Sequence, residues 1–280
     1  MINKVKPLIK QYGIFYFIGV VIILGIKYFY SLAGSDDLEW ILTPTVRWIK
    51  MISGITFEKE PLLGYINHQY RFIIAPICSG VQFMIITFAL LFFSFIHYMN
   101  TIKRKFYWVG LSLVFSYLLT IFVNGFRIAL SLYFLRQELK VEWITPEQLH
   151  MLEGTAIYFV ALLFIYHITG FVLKKIAGIQ AGSICVYSEK SFIHALSKCI
   201  PAGFWYFFIT LGIPIINSAY KNNSEKFKAY AITITAVCLV IIIIFCLLYV
   251  LREYFLRGTH KVKTMKRARI VTPVLIRRKP

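Results

Sequence analysis

Six long apolar runs, separated by short polar segments that carry most of the charge, dominate this chain. An α-helix needs about 20 apolar residues to cross the roughly 30 Å of hydrocarbon in a bilayer, and each run approaches that length. The pattern therefore predicts an all-α polytopic membrane protein with about six transmembrane helices. The predicted spans cover residues 12–33, 79–98, 106–123 with a continuation toward 135, 151–173, 200–217 and 230–251.

One further segment, residues 38–57, has apolar residues at helical spacing and charged residues off that stripe. This pattern predicts an amphipathic helix that lies on the outer surface and does not span the membrane. Residues 58–75 follow as a predicted polar loop, whose last part, Tyr70 to Ala75, is compatible with an extended conformation. The apolar stripe consists of Leu38, Ile41, Leu42, Val46, Ile49 and Ile52.

The composition of the 280-residue chain, 59% hydrophobic and 15% charged, excludes an ordinary soluble domain. A net charge of +19 would favour nucleic-acid binding in a soluble protein. In a membrane protein, however, lysine and arginine collect in cytoplasmic loops, so we expect no nucleic-acid partner. The basic carboxyl-terminal tail, Arg252 to Lys279, is interpreted as a topology anchor held close to anionic membrane lipid.

The charge distribution predicts that both termini are cytoplasmic. Lys4, Lys6 and Lys10 precede the first span, and the loop 103–105 and the pair 174–175 then fall on the same side. The first apolar run is longer than the apolar region of a signal peptide and has no convincing cleavage site. We therefore expect it to be retained as a membrane helix.

The second span begins at a short polar motif that contains a cysteine. Gln82 follows Ser79 at the spacing of a capping box, so Ser79 is predicted as the helix N-cap, with Cys78 just before it and Gly80 just after. Free backbone N–H groups and the positive end of the helix dipole would stabilise a thiolate there. The same N–H groups could receive the oxyanion of a tetrahedral intermediate.

A free cysteine is also commonly a small buried hydrophobic residue, and Cys238 and Cys246 inside the last span are interpreted that way. Cys185 and Cys199 fall in or beside a predicted cytoplasmic loop, where disulfides are rare. Cys78 alone among the five cysteines is predicted at the outer surface, so we expect it to be a free thiol.

A second polar motif, Asn124 to Arg127, lies at the outer end of the third span, and its two named residues would share a helix face. Arginine in a membrane is a functional candidate because its charge is costly in hydrocarbon. A guanidinium can hold a carboxylate or stabilise an oxyanion. The alternative is an arginine that extends to the interface with Asn124 as its partner. Gly125 also leaves open a break in this helix.

A third motif begins the fourth span, where Thr145 and Pro146 predict the helix start and His150 follows within two turns. Histidine exchanges protons near neutral pH, which suits transfer to or from a thiol. An interfacial histidine is, however, usually only a hydrogen-bonded surface group. Glu153 is a candidate to orient the imidazole, or it is simply a favourable charge near the amino end of the helix. The remaining histidines are scattered, so we expect no metal and no cofactor.

Together these motifs resemble the exosortase/archaeosortase family of membrane transpeptidases. The resemblance implies a cysteine protease or transpeptidase in which Cys78 is the nucleophile, assisted by Arg127 and His150. It also implies a thioester intermediate that is resolved by an acceptor or by water. The matching residues are Cys78, Ser79, Gly80, Asn124, Arg127, Ile128, His150 and Gly154, and the resemblance covers about residues 65–175.

The resemblance further implies the partners and the location. The family cleaves secreted proteins that end in a sorting signal, which consists of a short motif, a transmembrane helix and a basic cluster. It places the enzyme in a prokaryotic cytoplasmic membrane with its site facing outward. We accordingly expect an exosortase-like core over residues 1–176. Residues 177–280 are expected to form a cytoplasmic loop, a transmembrane hairpin that matches no known motif, and a basic cytoplasmic tail.

A non-enzymatic transporter subunit or assembly scaffold is the main alternative. A transporter would carry polar or interrupted helices near the middle of the membrane, often in repeated halves. Here the polar residues gather at helix ends, and no repeat is visible. A scaffold predicts that Cys78, Arg127 and His150 can be replaced without a specific loss of activity.

Overall fold

The computed structural model describes residues 2–137, 146–176 and 191–271 of the chain. Within these residues, six helices are long and apolar enough to cross a membrane, which confirms the predicted all-α polytopic membrane class. The helices are α1 (Ile2–Leu32), α2 (Glu39–Ser53), α3 (Val81–Phe95), α4 (Ile102–Arg136), α5 (Pro146–Ile176), α6 (Ser191–Phe207), α7 (Ile213–Ile216) and α8 (Ser224–Val271).

Helix α3 is the centre of the bundle. Its spanning segment, Pro76–Tyr98, is 78% buried, against 17% to 33% for the other spans. Because α3 is apolar on every face, it can be covered all round, and α1, α4, α5 and α6 pack against it. Phe93 of α3 stacks on Trp205 of α6 at 4.8 Å and contacts Tyr16 of α1 at 5.8 Å. The segment that carries Cys78 leads directly into this central helix.

Helix α4 is a single helix of 35 residues without a break at Gly125. At a rise of about 1.5 Å per residue it is roughly 50 Å long, so it extends beyond the hydrocarbon. Gly125 is instead a point of close packing, where the indole of Trp48 lies against the backbone of α4. The Trp48 Nε1 donates a hydrogen bond to the carbonyl of Phe122 at 3.2 Å.

Helix α2 is the predicted amphipathic helix, and it lies outside the six spans. It runs beside α4 in the same chain direction: Trp40 stacks on Tyr117 at 5.7 Å, and Trp48 meets Phe122 at 4.9 Å. Most of the apolar stripe is covered by protein, while Ile52 at its end is exposed. The buried residues of α2 are Ile41, Leu42, Thr45, Val46 and Ile49.

The prediction of a polar loop over residues 58–75 was wrong for most of this segment, which forms a three-stranded antiparallel sheet. The stretch Tyr70 to Ala75 is extended in part, as predicted, since it contains the third strand. The strands are β1 (Glu58–Glu60), β2 (Gly64–Asn67) and β3 (Phe72–Ile74). Strands of three or four residues are too short to show the alternation by which a strand is recognised. The second turn is closed by the Asn67 side chain, whose Oδ1 accepts from the Tyr70 N–H at 2.8 Å.

The carboxyl-terminal helices pack against each other and against the core. Helix α6 begins at Ser191, earlier than predicted, because its first turns are amphipathic and fall outside the apolar run. It contains Pro201 and continues through a π-helical turn, Phe208–Gly212, into α7. Helix α8 continues past the predicted span into the basic tail. Thr145 and Cys185 lie outside the described residues. So does most of the predicted cytoplasmic loop that follows residue 176.

Candidate active site

Cys78 is the last residue of a 3₁₀ turn, Pro76–Cys78, that joins β3 to α3. The prediction of Ser79 as the N-cap was wrong: the N-cap of α3 is Gly80, in the left-handed region at φ 75°. Only glycine adopts this conformation without strain, and it gives the chain a corner between the 3₁₀ turn and the helix. The Ser79 Oγ accepts a hydrogen bond from the Val81 N–H at 3.4 Å.

Gly80 also allows the Pro76–Cys78 turn to approach α4 closely. A Cβ atom at this position would lie 2.9 Å from Thr120 Cγ2 and 3.0 Å from Asn124 Cγ. The missing side chain thus lets the Cys78 backbone reach the Asn124 amide. The glycine of the Cys-Ser-Gly motif therefore has a packing role as well as a conformational one.

Asn124 connects the Pro76–Cys78 turn before α3 to α5. Its Nδ2 donates to the backbone carbonyl of Cys78 at 2.7 Å, and its Oδ1 accepts from the Tyr158 hydroxyl of α5, also at 2.7 Å. Asn124 is fully buried, so both bonds are shielded from water. The Tyr158 ring stacks on Phe83 of α3 at 4.5 Å. The polar network thus joins α3, α4 and α5 at the cysteine.

Arg127 lies at the same end of α4 and is only 7% exposed. Its Nη1 is 3.4 Å from His150 Nε2, and its guanidinium is 5.4 Å from the centre of the Tyr158 ring. A Cβ atom at Gly154 would lie 3.2 Å from Nη1. The glycine of the third motif therefore leaves the space that the guanidinium occupies.

The guanidinium of Arg127 retains unused hydrogen-bonding capacity. Among the described residues, its Nε and Nη2 have no hydrogen-bond partner, although both atoms are buried. A buried charge with unmet donors is unfavourable unless something completes its bonding. Two N–H groups on one guanidinium suit a carboxylate or a developing oxyanion.

His150 is held on its other side by Ser131 and Glu153. Its Nδ1 is 3.3 Å from Ser131 Oγ, and that hydroxyl donates to Glu153 Oε2 at 2.6 Å. The interaction of Glu153 with the imidazole is therefore indirect and passes through a serine. The second carboxylate oxygen, Oε1, is buried without a partner among the described residues.

The structure brings together all the residues predicted from the three motifs, and it adds Ser131 and Tyr158, which the sequence analysis missed. Ser131 follows Arg127 by four residues, and Tyr158 follows Gly154 by four, so each shares a helix face with a motif residue. A polar side chain four residues after a motif residue, in an otherwise apolar helix, could have indicated both residues from the sequence. Cys78 is joined to the Arg127–His150 pair through Asn124 and Tyr158. Within the described residues, the hydrogen bonds of Cys78 involve its backbone and not its thiol.

Comparisons with known proteins add one positive result. The sequence profile of a family described as transmembrane exosortase matches residues 6–167, which is more than half of the chain. The match includes α1 to α4 and most of α5, and it contains every residue of the network described above. No curated protein and no solved structure matches the chain. Among the described residues, no group of three or more His, Cys, Asp or Glu side chains could hold a metal ion.

Proposed function

The chain belongs to the transmembrane exosortase family, and from this membership and the geometry of its site we propose that it is a membrane cysteine transpeptidase. It cleaves the carboxyl-terminal sorting signals from secreted proteins and transfers the acyl group of the remaining protein to an acceptor or to water. The single observation that supports the proposal most strongly is the hydrogen-bonded network around Cys78. This network unites three motifs that are far apart in the sequence. Within the part of the chain that the structure describes, it leaves the Nε and Nη2 of Arg127 without a partner.

In the proposed reaction, the Cys78 thiolate attacks the carbonyl carbon of the scissile peptide bond after its proton passes to His150. Arg127 donates from its unpaired N–H groups to the oxyanion of the tetrahedral intermediate. The C–N bond then breaks, the leaving amine takes the proton from His150, and a thioester remains on Cys78. An acceptor nucleophile or water then attacks this thioester, gives its proton to His150 and takes the acyl group, which regenerates the Cys78 thiolate.

The proposed substrates follow from the position of the site. The described network lies at one end of α4 and at the start of α3 and α5, so a peptide bond just outside a transmembrane helix could reach it. The partners we propose are secreted proteins that end in a short motif, a transmembrane helix and a basic cluster. The proposed location is the prokaryotic cytoplasmic membrane, with the site on the extracytoplasmic face.

The side of the membrane has a direct test. Leu62, at the tip of the first hairpin before Cys78, is 83% exposed, and Ile102, at the opposite end of α4, is 67% exposed. In a chain without other cysteines, a membrane-impermeant thiol reagent applied to intact cells should label Leu62→Cys and leave Ile102→Cys unlabelled. Labelling of Ile102→Cys alone would place the site on the cytoplasmic side.

The activity is tested by mass spectrometry of carboxyl-terminal peptides from membrane and secreted proteins of cells that carry wild-type protein or Cys78→Ala. The control is Cys238→Ala, since Cys238 is a fully buried cysteine of α8 outside the family match. We expect a defined set of secreted proteins to keep their terminal helix in Cys78→Ala only. The opposite outcome is that every carboxyl-terminal helix is removed equally in wild-type and Cys78→Ala cells, while the variant reaches wild-type levels in the membrane. The proposed transpeptidase function would then be rejected in favour of a scaffold or transporter.

A further inference from the structure

A hydroxyl lies between the two groups that would form the usual histidine–carboxylate pair. Ser131 Oγ is 3.3 Å from His150 Nδ1 and donates to Glu153 Oε2 at 2.6 Å. We propose that Ser131 is a positioning residue, which holds the proton of neutral His150 on Nδ1 so that Nε2 is the basic nitrogen. This inference rests on the proposed function for its catalytic consequence, but the assignment of the proton does not.

The direction of each hydrogen bond follows from the chemistry of its partners. Arginine donates only, so the contact of Arg127 Nη1 with His150 Nε2 at 3.4 Å is a hydrogen bond only when Nε2 is unprotonated. The neutral ring then carries its proton on Nδ1, which faces Ser131. Because the Ser131 hydroxyl gives its own proton to the Glu153 carboxylate, its oxygen is free to accept from Nδ1. The three bonds thus run in one direction, from guanidinium to imidazole to hydroxyl to carboxylate.

The geometry of Ser131 differs from that of a serine with only a local role. Serine inside a helix commonly donates to a carbonyl of its own helix. Ser116, also in α4, does so and donates to the Leu113 carbonyl at 2.9 Å. Ser131 is 7% exposed and instead bonds across to two side chains of α5. A buried hydroxyl that bridges two helices at this point orients the imidazole.

The assignment also gives the resting contact between Arg127 and His150 a defined role. While Arg127 donates to Nε2, this nitrogen is not free to accept a proton from a thiol. The guanidinium has two further N–H groups, on Nε and Nη2, that are unpaired among the described residues. A substrate oxygen that bonds these groups would draw the guanidinium away and release Nε2. The base would then become available only when substrate is bound.

The decisive measurement is ¹⁵N NMR of the full-length protein labelled at histidine, with His150→Ala used to assign the signal. We expect a protonated Nδ1 and an unprotonated Nε2 for His150 in the wild type. In Ser131→Ala the Nδ1 proton loses its acceptor and only the long 3.4 Å contact with Arg127 still favours it, so a mixture of the two tautomers should appear. Ser131→Thr, which keeps the hydroxyl, should retain the wild-type pattern. Ser116→Ala is the matched control and should leave the signal unchanged.

The catalytic consequence is measured as the cleavage rate of a sorting-signal substrate identified by the proteomic comparison. We expect Ser131→Ala to lower the rate by about tenfold or more, up to the roughly 10²- to 10⁴-fold that general acid–base catalysis contributes. Ser131→Thr should recover most of the rate. Equal expression of all variants in the membrane, with unchanged thermal stability, separates this effect from misfolding.

The outcomes separate the two proposals. If the proton of His150 already lies on Nε2 in the wild type, or stays on Nδ1 in Ser131→Ala, the positioning role is wrong whatever the activity. If the tautomer shifts and the cleavage rate does not change, Ser131 orients the ring without consequence for the reaction, which also overturns the inference. If Cys78→Ala processes every substrate normally, the proposed function fails while the NMR result stands.

Discussion

Asn124 holds Cys78 by its backbone, through a 2.7 Å hydrogen bond from the side-chain amide to the Cys78 carbonyl. This bond fixes the 3₁₀ turn against α4 and leaves the thiol outside the interaction. A nucleophile whose main chain is anchored can keep one orientation while its side chain reacts. Asn124 is held in turn by the Tyr158 hydroxyl, which donates to its Oδ1. Because Tyr158 belongs to α5, the position of Cys78 depends on α5 as well as on α4.

The first prediction concerns Asn124→Asp, which keeps the shape and the acceptor for Tyr158 but replaces the donor to Cys78 by a carboxylate oxygen. Two acceptors would then face each other in a buried site. We expect a loss of about 1–3 kcal/mol in the free energy of unfolding and a severe loss of cleavage. Thermal denaturation and cleavage assays of the detergent-purified protein measure both.

Ser112→Ala serves as its control, because Ser112 is a buried residue of α4 whose hydroxyl has no partner among the described residues. Its removal should leave stability equal or slightly higher and cleavage unchanged. Full cleavage by a stable Asn124→Asp protein would show that the carbonyl bond is not needed to orient Cys78.

The second prediction is for Tyr158→Phe. This change removes the hydroxyl that donates to Asn124 and keeps the ring that stacks on Phe83 and faces Arg127. We expect a cost of about 1 kcal/mol in stability and a partial loss of cleavage, smaller than that of Asn124→Asp. Tyr166→Phe on the same helix, where the ring stacks on Phe95, should match wild type in both assays.

Several parts of this architecture followed from the sequence for clear physical reasons. The bilayer requires long apolar helices, so counting apolar residues located all six spans, with ends displaced by a few residues. Among the ends of the candidate spans, the largest displacement is at the start of the α6 span, which begins at Phe192 and was predicted at residue 200. It arose where an amphipathic turn precedes the apolar run. The sheet over residues 58–74 was missed because its strands are too short for a periodic pattern and depend on contacts with Phe57, Thr56 and Thr43.

The site followed from the sequence only in part. Motif spacing identified Cys78, Arg127 and His150, but not what joins them, because contacts between helices are not encoded in the spacing within each helix. Gly80 was predicted as a motif residue. Its left-handed backbone conformation, which moves the N-cap from Ser79 to Gly80, could not be predicted from the sequence. Ser131 was not predicted because both of its side-chain partners, His150 and Glu153, lie on α5 and not on its own helix.

A third prediction follows from Gly154→Ala. The added Cβ would lie 3.2 Å from Arg127 Nη1 and 3.5 Å from its Cδ, so the guanidinium must shift by a few tenths of an ångström. Alanine favours a helix over glycine by about 0.5–1 kcal/mol, so stability should change little while cleavage falls. The comparison is Gly170→Ala in the same helix, where the nearest atom is Phe95 Cε1 at an ordinary 3.5 Å and cleavage should be retained. Wild-type cleavage by Gly154→Ala would contradict a need for the exact placement of Arg127.

The fourth prediction tests the contact between α2 and α4. A Cβ at Gly125 would collide with the Trp48 indole, and this end of the indole is fixed because Nε1 donates to the Phe122 carbonyl at 3.2 Å. Gly125→Ala should therefore push α2 away from α4 and cost about 1–3 kcal/mol, as overpacking does. Gly110→Ala is the matched control, because it lies in the same helix with nothing within 4 Å of the added atom.

The two glycine variants of α4 should move in opposite directions. Gly110→Ala should be neutral or more stable by up to about 1 kcal/mol, since it only adds helix propensity. A double variant, Gly125→Ala with Trp48→Ala, should recover part of the stability that Gly125→Ala loses, because the collision is removed with the indole. If Gly125→Ala melts at the wild-type temperature, α2 is not held on α4 by this contact. The next residue pair to examine would then be Trp40 and Tyr117, which also joins the two helices through a 2.8 Å bond from the Tyr117 hydroxyl to the Trp40 carbonyl.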